Sequence, residues 1–69
     1  MKLKVKRDVM VAAMGRKFLG QKDLAQITGL SLQTISDIVR DKRMINMKTA
    51  KIICECLELS FEDLIIVEF

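Results

Sequence analysis

The side chains best equipped for chemistry fall in one short stretch. Gln33, Ser36, Asp37 and Arg40 supply an amide, a hydroxyl, a carboxylate and a guanidinium in close succession. At about 100° per residue they share one face of a helix, with Leu32 at its edge, while Ile35, Ile38 and Val39 take the opposite face. These groups suit recognition by hydrogen bonding more than catalysis. The chain has no His, Tyr or Trp and no glycine-rich phosphate loop, and no base stands where it would activate a serine. The other carboxylates are scattered or lie at helix starts, where they cap. Most catalytic constellations cannot be assembled from this inventory, so the sequence points away from an enzyme and toward binding.

A helix with such a face fits the major groove of double-stranded DNA, which admits one helix. Gln33 can meet N6 and N7 of adenine. Arg40 can meet O6 and N7 of guanine where it reaches the groove, or a phosphate where it does not. Leu32 can contact a thymine methyl. Asp37 has two readings: it accepts from cytosine N4, or it forms an i, i+3 pair with Arg40 that orients the arginine. Gln21, Ser31, Thr34, Lys42 and Arg43 stand at helix starts or just beyond a helix end, where short polar groups meet phosphate oxygens. For Ser31 and Thr34 the competing role is capping; for Lys42 and Arg43 it is plain solvation.

These residues need a frame. A helix over about Gln21 to Thr28 ends at Gly29, which tolerates the positive φ of a helix C-terminal turn. Ser31 then caps a third helix, over about 32–41, through the backbone of Thr34. With so short a link the two helices must cross at a large angle. Ahead of them, Leu3 and Val5 alternate with Lys2 and Lys4, the period of a half-buried strand. Leu64 to Phe69 is the other strand-like run. A lone strand is unstable, so either the two ends pair with each other or the last strand pairs with a second subunit, Lys2 or Lys4 facing Glu68 in both cases. A first helix begins near Arg7 or Asp8, with Met10, Ala13 and Met14 as its apolar stripe, and Leu19 and Gly20 close that segment. A fourth helix runs about Met47 to Leu57, capped by Asn46, with Ala50, Ile53, Cys56 and Leu57 on its apolar side. Ser60 caps a short fifth, with Asp63 as its capping-box partner.

With 69 residues the chain is expected to form a single domain, 1–69, of the all-α class with short terminal strands. At this size only about 60% of the unfolded surface is buried. The 51% apolar content includes only three aromatic residues, all Phe, so the core is aliphatic. The net charge of +3 suits a polyanionic partner. Its distribution is uneven: Lys2, Lys4, Lys6, Arg7, Arg16, Lys17 and Lys22 are basic, whereas Glu55, Glu58, Glu62, Asp63 and Glu68 make the far end acidic. On this count one end faces phosphate and the other does not. Cys54 and Cys56 point about 200° apart on a helix and cannot bond to each other. Without His or a second Cys pair there is no zinc site, and no cofactor is expected. Both cysteines read as reduced core residues, as in a cytoplasmic protein. No apolar run reaches the ~20 residues of a membrane span, and no signal-peptide pattern opens the chain.

Taken together, Gln21, Leu24-Ala25, Gly29, Leu30-Ser31, Thr34-Ile35-Ser36 and Ile38 resemble the helix–turn–helix of the phage repressor and Cro group, the Xre family. Lys48-Thr49-Ala50 with Ile53 and Leu57 resembles the family's fourth helix, and Phe61-Glu62-Asp63-Leu64 its fifth. The opening MKLKV resembles small phage-type members whose ends form strands. The resemblance implies a five-helix DNA-binding domain, from a phage, prophage or mobile element, that regulates transcription as a homodimer on a palindromic operator. It makes Gln21, Ser31, Lys42 and Arg43 phosphate contacts and puts Leu32, Gln33, Ser36 and Asp37 at the base edges.

Several positions depart from the family pattern. Gly20 stands where a Ser, Thr or Asn cap is common, Asp41 and Glu58 stand where glycine is common, and Met14 and Val39 replace an Arg–Glu pair. Base specificity does not transfer, because Leu32 and Asp37 differ from the better-known members. Ile52 falls where lysine is frequent, and with Met44, Ile45 and Met47 it makes a candidate dimer face. The rival reading is a protein-interaction module, such as an antitoxin or an anti-repressor partner, favoured by the apolar excess and the acidic far end.

Overall fold

The computed structural model describes residues 2–40 and 42–69. Its elements are β1 (Lys2–Val5), α1 (Arg7–Arg16), α2 (Gln21–Thr28), α3 (Leu32–Val39), α4 (Met47–Leu57), α5 (Phe61–Leu64) and β2 (Ile65–Glu68). Five helices and a two-stranded antiparallel sheet make it a mostly helical protein.

The two ends of the chain pair with each other. Lys2 faces Glu68, Leu3 faces Val67, Lys4 faces Ile66 and Val5 faces Ile65. The alternation works as the pattern demands: Leu3, Val5 and Ile65 are buried, and the Lys4 Nζ lies 3.6 Å from the Glu68 carboxylate. Leu64 closes α5 instead of opening the strand; it is fully buried, and its carbonyl accepts the Lys6 N–H at 2.6 Å. One rung was not legible in the sequence. The Ile45 N–H donates to the Leu3 carbonyl at 3.0 Å, so β1 lies between β2 and a single bridging residue. One residue has no periodicity to betray it.

The core is aliphatic. Met10, Ala13 and Met14 from α1 meet Leu24, Ile35, Ile38, Val39, Ala50, Ile53, Leu57 and Leu64. Met14 and Val39 are both buried there as apolar residues. On α4 the buried set is Ala50, Ile53, Cys54 and Leu57. That is the i, i+3, i+4, i+7 stripe, and Cys54 belongs to it in place of Cys56, which sits half-buried off its edge. Burial pushes both thiols up; at Cys56 the nearby Lys17 charge opposes that rise. Both are free.

Helix ends are closed by several devices. Asn46 Oδ1 accepts the Thr49 N–H at 2.8 Å. Gly20 has no side chain to cap α2, and the Asp23 carboxylate reaches back to its N–H at 2.8 Å instead, so that start is secured from inside the helix. At α5 the Ser60 hydroxyl accepts the Asp63 N–H at 3.4 Å. The C-termini of α1 and α4 turn through left-handed residues, Phe18 (φ 55°) and Glu58 (φ 56°). In each the following N–H returns to a carbonyl five residues back: Leu19 to Met14 at 2.9 Å and Leu59 to Cys54 at 3.0 Å.

The fold also redistributes the charge. The two ends are neighbours, so part of the basic N-terminal set meets acidic residues of the far end. Lys4 pairs with Glu68, Lys17 Nζ lies 3.2 Å from Glu58 Oε1, and Lys6 Nζ donates to the Glu62 carbonyl at 3.1 Å. These contacts are solvent-accessible and each contributes at most about 1 kcal/mol. Their consequence is that Lys4 and Lys17 face carboxylates, while Lys2, Arg7, Arg16 and Lys22 are in no such pair among the described residues.

Candidate nucleic-acid interface

The unit built by α2 and α3 depends on a tight connection. Gly29 takes φ 77°, a left-handed conformation that glycine adopts without a Cβ penalty, and its N–H closes on the Ala25 carbonyl at 3.0 Å. Thr28 carries the turn as well. Its hydroxyl donates to the Leu24 carbonyl at 2.6 Å and accepts the Leu30 N–H at 3.3 Å. Ser31 Oγ then accepts the Thr34 N–H at 3.1 Å and donates to Thr34 Oγ1 at 2.8 Å, capping α3. Leu24 and Ile35 are fully buried and Ile38 nearly so, which locks the two helices onto the core.

That locking leaves one face of α3 outward. Leu32 is 44% exposed. Gln33 and Arg40 are exposed, and Ser36 and Asp37 are half-buried. Arg40 is the C-cap, with its N–H on the Ser36 carbonyl at 3.0 Å. Asp41, expected to end this helix, lies outside the described residues.

Asp37 is the hub of this face. Gln33 Nε2 donates to its Oδ1 at 2.9 Å. Its Oδ2 lies 3.6 Å from Arg43 Nη2. Its carbonyl accepts the Lys42 N–H at 2.9 Å. The cation beside Asp37 is therefore Arg43 and not Arg40. The cause is the path of the chain: the Lys42 bond folds the segment after α3 back against the helix, and Arg43 arrives alongside Asp37.

Of the phosphate candidates, Gln21 is the first residue of α2 and half-buried, Ser31 and Thr34 are bonded together at the start of α3, and Lys42 and Arg43 lie exposed after it. Among the described residues no hydrogen bond or ion pair ties the side chains of Gln21 or Arg40 to the rest of the group. Residues that the sequence reading missed are Thr28, whose hydroxyl holds the turn, and the link from Asp37 to Arg43. Of the candidate dimer face, Met44 and Met47 are half exposed, at 50% and 53%. Ile52 is half-buried, and Ile45 packs against the core while bridging to Leu3. Ile45 is thus partly spent on the fold.

Among the described residues no group of His, Cys, Asp or Glu is arranged to hold a metal ion, and no helix is long and apolar enough to cross a membrane. The model of a family described as helix-turn-helix matches residues 19–64, the span from just before α2 to the end of α5. Comparison with curated proteins and with solved structures gave no significant match.

Proposed function

The chain belongs to the Cro/C1-type, Xre-like helix–turn–helix family, a DNA-binding regulatory family, and from that premise we propose that it is a sequence-specific transcriptional regulator of the repressor or Cro-like kind. The observation that carries the proposal is the outward face of α3. It presents Leu32, Gln33, Ser36, Asp37 and Arg40 on a helix held rigidly by buried Ile35 and Ile38. Gln21, Ser31, Thr34, Lys42 and Arg43 flank that face at helix starts and just after α3, and take the phosphates. No catalytic step and no cofactor enter this function.

In this reading each protomer inserts α3 into the major groove of one half-site. A homodimer places two such helices about 34 Å apart, one turn of DNA, which demands a palindromic operator. Met44, Met47 and Ile52 form the face between protomers, with Ile45 behind them.

The test is selection from a randomised duplex pool, followed by mobility-shift titration at two salt concentrations. A regulator of this kind enriches a palindrome, and its affinity falls steeply with salt as phosphate contacts release counterions. A pool that stays random at low salt contradicts the proposal and favours a protein-interaction module. An open groove whose apolar floor comes from Met47, Cys54, Leu59 and Phe61, lined also by Lys51, Glu55 and Glu58, supports that second reading.

A further inference from the structure

We propose that Asp37 reads no base but is a positioning residue that sets the reading geometry of Gln33. The inference rests on the reading of α3 as the helix that enters the groove. An ionised carboxylate accepts and cannot donate, so the Gln33 atom 2.9 Å from Asp37 Oδ1 is the amide nitrogen. That nitrogen carries two hydrogens. One lies beside the amide oxygen, and the other points away from it. Reading adenine in two places uses the amide oxygen against N6 and the nearer N–H against N7. In the proposed arrangement Asp37 takes the outer N–H, which leaves the reading edge of Gln33 open and fixes its orientation along the helix. A glutamine without this partner surrenders more rotamer freedom on binding.

Asp37 is itself held on its other side. Arg43 Nη2 lies 3.6 Å from Oδ2, and the Asp37 side chain is only 22% exposed. The Lys42 N–H on the Asp37 carbonyl fixes the segment that delivers Arg43. The carboxylate keeps spare lone pairs, but Gln33 on Oδ1 and Arg43 beside Oδ2 restrict how it can turn toward a cytosine N4. Arg43 also offsets a negative charge that would otherwise oppose nearby phosphate. The three residues act as a relay, with Arg43 setting Asp37 and Asp37 setting Gln33.

The test uses the full chain and the duplex it selects, with each base pair of the half-site replaced in turn. Affinities are compared for the parent, Gln33→Ala, Asp37→Ala, Asp37→Asn and the double alanine variant, each checked for folding by its amide NMR spectrum. A bidentate contact discriminates by about 5- to 150-fold. Asp37→Ala should lose much of that discrimination at the same base pair as Gln33→Ala, and the double variant should discriminate no worse than Gln33→Ala alone. Asp37→Asn, which keeps an acceptor oxygen for Gln33, should restore most of it. The Gln33 side-chain amide resonances should be displaced in the parent and in Asp37→Asn, and move to ordinary exposed-glutamine positions in Asp37→Ala. Lost discrimination at a different base pair, or additive losses in the double variant, would overturn the positioning role while leaving α3 as the reading helix. A parent that selects no duplex overturns both.

Discussion

Phe18 holds a left-handed backbone with its ring 93% exposed. A bulky residue there costs roughly 1–2 kcal/mol relative to a relaxed conformation, and the ring gains almost nothing by burial. Phe18→Gly should therefore stabilise the fold by about 1 kcal/mol, the strain relieved exceeding the extra freedom glycine has when unfolded. In a domain of this size that raises the melting temperature by about 4–8 °C. Thermal denaturation followed by circular dichroism checks it, and a lower melting temperature would show that Phe18 holds a contact worth more than its strain. Glu58 has the same geometry but spends its side chain on Lys17, so the corresponding exchange gains less. The cysteines offer no such handle. Burial pushes both thiols up, which keeps them protonated and poor nucleophiles.

Among the elements, α2 and α3 were the most legible. Gly29 and Ser31 punctuate the chain in ways that have few other meanings, and Leu24, Ile35 and Ile38 repeat with the period of a buried helix face. The terminal strands were legible as strands, and of the two partners left open, each other or a second subunit, the structure has each other; alternation names a face and cannot by itself choose the neighbour. On α4 one member of the stripe differs from the expectation: Cys56 fits a looser pattern, while Cys54, two residues earlier, completes the strict one with Ala50, Ile53 and Leu57. Two features left no trace in the sequence. The bridge from Ile45 to Leu3 joins residues far apart in the chain, and the pair of Asp37 with Arg43 depends on how the chain folds back after α3. The first is a tertiary fact; the second, six residues apart, is a local one set by how α3 ends. In the candidate site, residue types and helix faces could be read from spacing, but which polar groups bond one another could not.

For the whole molecule, the arrangement of charge limits what one protomer can do. Lys4 and Lys17 are paired with glutamates of the second half, and Arg43 is paired with Asp37. Among the described residues the recognition face keeps Arg40 and the following Lys42 outside any such pair. On the recognition face itself a single copy thus brings few unpaired cations to the phosphates, and two copies on a palindrome double that number. If Met44 and Met47 lie between the copies, Met44→Lys should shift the protein to monomer in analytical ultracentrifugation at concentrations where the parent is dimeric. It should weaken operator binding without altering which half-site is preferred. A variant as dimeric as the parent would move the interface elsewhere, the exposed Ile66 on β2 being the next candidate. Base reading by α3 is measured by the affinity of Gln33→Ala against that of the parent, on the selected duplex and on random duplex at the same salt. The expected loss is about 1–3 kcal/mol on the selected duplex and almost none on random DNA. An equal loss on both would contradict it, since Gln33 would then be touching the backbone and reading nothing.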